Sequence, residues 1–287
     1  MTTLTPSSTA RLRVPVSFEF FPPNTPVGDE KLLQVVKDLG VWSPEFFSVT
    51  YGAGGSTREK TLKTVQAIRA MGIAAAPHLS CVGSSREDLG QILDGYRDSG
   101  LDRLVALRGD LPSGMQRSGD MPYAADLVRF IRERHGDHWH IEVAAYPEYH
   151  PGERYVARDL QHYADKVKAG ASSAITQFFF NADAYFHFVE QTRKLGAHAP
   201  VVPGIMPFHN FSRIAAFAQR DGIEIPRWVA RKMEGYLDDT ASIRAFGLDV
   251  VTSLCERLID GGAPGLHFYT MNQSPLVGEL CGRLAGE

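Results

Sequence analysis

Six polar side chains, each closing a short apolar run, carry the first chemical signal in the sequence: Glu19, Thr50, His78, Arg108, Tyr146 and Gln177. In an extended chain residues i and i+2 share a face. Stepping back by two places Ser17, Ser48, Ala76, Ala106, Ala144 and Ile175 on that face. Phe18 and Phe20, Phe47 and Val49, Val105 and Leu107, and Val143 and Ala145 stand on the other. A face that is mostly small leaves room, and one polar group per run gives that room a chemistry. Glu19 is the sharpest member. A carboxyl set among Phe18, Phe20 and Phe21 resists ionisation, which suits a general acid near neutral pH, whereas pairing with an inward Arg108 would lower its pKa.

These side chains need strands to aim them. Runs of β type lie at residues 16–21, 46–51, 74–80, 103–108, 140–146, 173–179, 201–206 and 265–270. Helical patterns separate them at 30–39, 57–71, 86–99, 124–135, 154–169 and 184–195, with Leu127, Phe130 and Ile131 at the spacing of a buried stripe. Ser56 and Glu59 have capping-box spacing, and Gly40, Gly72, Gly100, Gly136 and Gly170 mark helix ends. Strands alternating with helices predict a parallel sheet. About eight such units favour an α/β fold of the (β/α)8 TIM-barrel class over an open doubly wound sheet, with the site at the carboxyl ends of the strands. Residues 210–260 hold more helix than one unit needs, so extra helices are predicted near the C-terminus. Residues 16–287 contain no linker and read as one catalytic domain; residues 1–15, rich in Ser and Thr, read as a flexible tail.

Composition narrows the partners. The 287 residues carry a net charge of -3, with 44% hydrophobic and 22% charged residues, the profile of a soluble globular protein. No basic block marks a nucleic-acid or anionic-membrane partner, and no apolar run is long enough to span a bilayer. Cys81, Cys255 and Cys281 are far apart and odd in number, which reads as reduced thiols in a cytoplasmic protein. His138 and His140 lack a third ligand at a supporting spacing, so no metal site is expected. Gly52-Ala53-Gly54-Gly55 has neither the dinucleotide nor the phosphate-loop spacing and reads as a turn bringing backbone close to a ligand. No serine-centred elbow supports hydrolase chemistry.

Taken in order, Ser17-Phe18-Glu19-Phe20-Phe21-Pro22-Pro23, Ser48-Val49-Thr50-Tyr51-Gly52-Ala53, Ala76-Pro77-His78-Leu79 and Ala106-Leu107-Arg108-Gly109-Asp110 resemble methylenetetrahydrofolate reductase. So do Ala144-Ala145-Tyr146-Pro147-Glu148, His150-Pro151, Ile175-Thr176-Gln177-Phe178-Phe179-Phe180 and His267-Phe268-Tyr269-Thr270, and the likeness covers nearly the whole chain. It implies a barrel that binds FAD, takes hydride from NADH or NADPH and reduces 5,10-methylenetetrahydrofolate to 5-methyltetrahydrofolate, the methyl source for methionine synthesis. Glu19 becomes the proton donor, because opening the methylene bridge requires a proton on the departing folate nitrogen. Asp110 is expected near the flavin, hydrogen-bonded to the pterin and tuning the flavin potential.

The resemblance places flavin contacts at Tyr51, Ala53, His78, Arg108, Gly109, Asp110, Ala124, Tyr146, His150, Asp159, His162 and Lys166, with Arg108 and Lys166 suited to the pyrophosphate or ribityl region. Thr50 and Gln177 are expected at the position shared by nicotinamide and folate. Phe217 would stack on whichever is bound, giving ping-pong kinetics. Some relatives carry Gln where this chain has Arg213, Arg where it has Gln273, and Asn where it has His162, so the folate contacts are expected to be redistributed over Arg213 and Gln273. The chain ends just after the barrel, so the regulatory domain of eukaryotic relatives is not expected; a homo-oligomer is. The rivals are a flavin-free barrel, such as a lyase or methyl transferase, and an inactive binding protein.

Overall fold

The computed structural model describes residues 12–52, 58–110, 119–237 and 239–286. The chain runs through β1 (Val16–Phe20), α1 (Pro26–Gly40), β2 (Phe46–Val49), α2 (Arg58–Arg69), β3 (Ala75–Ser80), α3 (Arg86–Asp98), β4 (Arg103–Leu107) and α4 (Ala124–His135). It continues through β5 (His140–Ala145), α5 (Val156–Lys168), β6 (Ser173–Thr176), α6 (Ala182–Lys194), β7 (Val201–Val202) and β8 (Gly204–Ile205). Then α7 (Phe211–Asp221), α8 (Arg227–Tyr236) and α9 (Thr240–Asp260) precede β9 (Leu266–Tyr269) and α10 (Pro275–Ala285). The strands form one parallel sheet in the order β7-β6-β5-β4-β3-β2-β1-β9-β8. Three helices occupy the interval where extra helix was predicted.

One proline explains how this sheet becomes a TIM-barrel-like ring. Residues 201–206 were predicted as a single strand; Pro203 has no N–H to give to a ladder and splits the run. The first half, β7, pairs with β6 (Ile175 with Val202), and the second, β8, pairs with β9 (Gly204 with His267). Two short pieces thus share one position of an eight-position barrel and join its ends. The seam is tight. Gly204 N–H donates to Thr176 Oγ1 at 2.8 Å, Tyr269 Oη donates to the Thr176 carbonyl at 2.6 Å, and a Cβ on residue 204 would run into that carbonyl oxygen.

Alternation along the strands builds two cores. Outward, Phe18, Phe20, Phe47 and Phe268 are fully buried beneath the helices, with ring centroids 5.1 to 5.7 Å apart. Inward, Phe46, Ala76, Val105 and Ile175 fill the barrel with Leu107 beside them. Near the amino ends of the strands the buried Glu142 carboxylate accepts from Arg103 at 2.8 Å and from Ser173 at 2.5 Å, while the Arg103 guanidinium lies 4.4 Å from the Phe46 ring centre. Leu12 and Val14 pack against the outer core. The rest of the predicted tail, residues 1–11, lies outside the described residues, as does Ser56. No helix among the described residues is long and apolar enough to cross a membrane.

The inward face of β4 differs from the one predicted. Ala106 joins the outer core, and Val105 and Leu107 face the barrel axis. In register Val105 pairs with His78 on one side and Glu142 on the other, both inward residues. The ion pair of Arg103 with Glu142 fixes the same parity from the start of the strand. The strand ends at Leu107, so Arg108 belongs to the following loop rather than to the interior ring.

Candidate active site

Glu19 reaches the barrel mouth from β1 with its side chain about one-fifth exposed. Its Oε2 lies 3.4 Å from His78 Nε2 on β3 and 3.7 Å from His267 Nε2 on β9. The aromatic setting expected for this carboxyl does not form: Phe18 and Phe20 turn to the helices and Phe21 is exposed. Its neighbours are imidazoles. The rival pairing with Arg108 is not formed either; that guanidinium donates to the Gly109 carbonyl at 3.3 Å. Burial lowers the His78 pKa against the opposing pull of Glu19, with His267 lowering it further, so His78 is neutral near pH 7. Ser17 Oγ stands 2.7 Å from His267 Nδ1 and orients that ring, while both Nε2 atoms are buried with no hydrogen-bond partner among the described residues. Burial first, then Glu19 and Tyr146, keep Tyr269 protonated. The carboxyl thus faces buried imidazoles, with no Lys or Arg pairing to it among the described residues.

Beside it, a cleft of about 900 Å³ runs outward from the ends of β4 and β5 between α4 and α5. Arg108, Gly109, Asp110, Ala124, Tyr146, His150, Asp159, His162 and Lys166 all line it. Gly109, at φ 82°, makes the rim turn there; a Cβ would meet Ser80 Oγ, which donates to the Arg108 carbonyl at 2.8 Å. Burial pushes Tyr146 up to about 12 and lowers His150, whose pKa Arg108 depresses further. Asp159 Oδ2 accepts from the His150 N–H at 3.1 Å and so braces the loop after β5.

Lys166 tests whether a dinucleotide fits. Among the described residues its Nζ donates only to the neutral Ala144 carbonyl, and burial lowers its pKa to about 8 despite Asp159. A covered amine without a direct anionic partner among the described residues, next to the exposed Arg108, would be completed by a diphosphate. Two other cations on the wall are paired, Arg129 with Asp126 at 3.0 Å and Arg158 with Glu153 at 3.7 Å, and Lys168 also lines it. Lys166 and Arg108 thus have the chemistry to hold a diphosphate such as the one FAD carries. Tyr123, stacked on His162 with centroids 5.2 Å apart, also lines the cleft. Its only signal in the sequence was its place before the helix that opens with Ala124.

Thr50, Tyr51 and His78 lie away from this cleft, on the β2–β3 side of the mouth. The Thr50 carbonyl accepts from Thr61 Oγ1 at 2.8 Å, and burial raises the Tyr51 pKa. Ala53 lies outside the described residues. Across the mouth a smaller pocket of about 50 Å³ is lined by Arg213, Phe217 and Gln273, together with Phe208, Tyr269 and Met271. Asn210 Oδ1 caps α7 by accepting from Arg213 N–H at 2.9 Å. The Arg213 and Arg220 guanidinium carbons stand 5.6 and 5.2 Å from the Phe217 ring centre. Gln177, at the end of β6, donates from Nε2 to Asp221 Oδ2 at 3.4 Å and so ties α7 to the barrel. His138 and His140 serve structure: His138 Nε2 bonds the Leu101 carbonyl at 2.8 Å, and His140 Nε2 bonds Ser173 Oγ at 2.7 Å.

A family model described as methylenetetrahydrofolate reductase matches residues 7–285. The 5,10-methylenetetrahydrofolate reductase of Pectobacterium carotovorum subsp. carotovorum is 39% identical over 272 residues, 94% of this chain and 89% of that protein. The protein of the same description from Escherichia coli strain K12 is 37% identical over 270 residues, 94% of this chain and 90% of that one. Among solved structures, an uncharacterized protein from Clostridium thermocellum, described as binding two copies of 5-methyl-5,6,7,8-tetrahydrofolic acid, aligns with a TM-score of 0.66. The alignment covers 96% of this chain and 95% of that one at 15% identity, so the likeness is one of fold.

Proposed function

The chain belongs to the methylenetetrahydrofolate reductase family, and from that premise we propose a flavin-dependent mechanism for its reduction of 5,10-methylenetetrahydrofolate. The observation that carries the reading is Lys166, an amine at the wall of a large cleft whose neighbours would accept a pyrophosphate. FAD bound there would accept hydride from NADH or NADPH and deliver it to the folate methylene carbon in a second, separate half-reaction. Arg108 and Lys166 would hold the diphosphate, and Tyr146, His150, Asp159 and His162 would fix the remainder.

The remaining chemistry falls to side chains at the mouth. Glu19 gives its proton to the departing folate nitrogen as the methylene bridge opens, leaving an iminium carbon to take the hydride. A neutral His78 suits this role, because an imidazolium 3.4 Å away would favour the ionised carboxylate. Phe217 and Arg213 on α7, with Gln273, would receive the aromatic part of folate or nicotinamide in turn, and Gln177 and Thr50 would orient it. Asp110 at the rim of the cleft would supply negative charge to a bound flavin and a hydrogen-bond acceptor for the pterin.

The experiment is anaerobic and sequential. The purified protein should be yellow, NADH or NADPH should bleach it, and 5,10-methylenetetrahydrofolate should then restore the colour as 5-methyltetrahydrofolate forms. A colourless protein that still makes the product would sink the flavin mechanism.

A further inference from the structure

Glu148 lies in the loop after β5, two residues from each of the cleft-lining side chains Tyr146 and His150. It serves a different part of the molecule. Its Oε2 accepts from the Glu224 backbone N–H at 2.9 Å, just beyond the end of α7. Its Oε1 is buried with no hydrogen-bond partner among the described residues. A carboxyl left half satisfied in this way is a costly group, and an apolar side chain would cover the same space more cheaply. Its use is therefore to hold position.

The same loop meets the end of α7 a second time, where the Cβ position of Gly222 stands 3.3 Å from Pro151 Cβ. Between Glu148 and His150, Tyr149 takes φ 68°, a conformation that non-glycine residues adopt at a cost and that must be held by its surroundings. The turn sends neighbouring side chains to different tasks: His150 to the cleft, Glu148 to Glu224.

We propose that Glu148 is a positioning residue that fastens the C-terminal end of α7, and with it Phe217 and Arg213, to the loop carrying Tyr146 and His150. Whatever settles the cleft-side loop then also settles the wall of the smaller pocket. The inference rests on the reading that the cleft holds FAD and that the α7 pocket receives folate.

The test uses flavin-loaded wild type, E148A, E148L, E148Q, F217A and the double variant E148A/F217A. In E148L the space is filled but the acceptor is gone; in E148Q the amide oxygen still accepts from Glu224 N–H. E148A and E148L are expected to keep the flavin spectrum and raise KM for 5,10-methylenetetrahydrofolate about tenfold while kcat changes less than about twofold. E148Q stays within about twofold of wild type on both. Because Glu148 acts through α7, adding E148A to F217A raises KM far less than it does in wild type. A wild-type KM in E148L, a Gln variant as impaired as the Ala variant, or an undiminished effect in the F217A background overturns the proposal. Should E148A lose its flavin, E148L and E148Q still decide. A wild-type protein that never turns over folate would sink the functional reading instead, a distinct result.

Discussion

Glu19 Oε2 and His78 Nε2 face each other at 3.4 Å across the barrel mouth, and the imidazole is the more deeply buried of the two. Because burial lowers the His78 pKa, the pair is a carboxyl beside a neutral ring near pH 7 rather than a fixed ion pair. A protein that needed Glu19 only as a permanent anion would gain more from a cation there.

Glu19→Gln is expected to bind FAD and to be reduced by NADH or NADPH at the wild-type rate, while folate reduction falls by at least about 100-fold. Stopped-flow absorbance separates the two half-reactions. Folate turnover near the wild-type rate would remove Glu19 from the role of acid.

Asp110→Asn removes a negative charge from the rim of the cleft. The flavin potential should rise and folate binding weaken, measured by dye-equilibrated reduction and by titration of the oxidised enzyme. An unchanged potential would dismiss the electrostatic part of the role.

Lys166 should make FAD binding depend on pH. Its folded pKa of about 8 lies below the ordinary 10.5, so above about pH 8 the folded protein sheds a proton that the unfolded chain keeps. Stability of the flavin-free protein from this group therefore rises with pH across that window. Diphosphate binding draws the proton back, so FAD affinity should fall as pH climbs past about 8, with proton uptake on binding. Calorimetry in two buffers of different ionisation enthalpy measures that uptake, and Lys166→Met should abolish it.

Gly204→Ala would drive a methyl group into the Thr176 carbonyl oxygen and against the Tyr269 ring at the barrel seam. Overpacking against backbone should cost on the order of 3 kcal/mol. Chemical denaturation measures it, and a loss below about 0.5 kcal/mol would show that the seam can relax.

Much of this was legible in the sequence, and the failures have physical causes. Strand and helix periods exposed the repeating units, and the line of strand-end polar residues led to Glu19, His78 and Tyr146. The parity of β4 was hidden because Leu104-Val105-Ala106-Leu107 is apolar on both faces, and the Arg103–Glu142 pair that decides it joins two different strands. Pro203 stood in view, but a split strand with two partners can be recognised only once the barrel closes. His267 and Tyr269 lay inside a quoted motif, yet their closeness to Glu19 depends on β9 returning beside β1. Glu148 was equally opaque, since its partner is a backbone N–H far along the chain.

The cleft beside α4 and α5 and the pocket beneath α7 open on different flanks of one rim. A dinucleotide moored in the first would leave the doorway at the second free for traffic, so that a single resident would serve a long succession of visitors. Exhaustive dialysis that clears every exchangeable guest from the α7 side should still return a coloured protein.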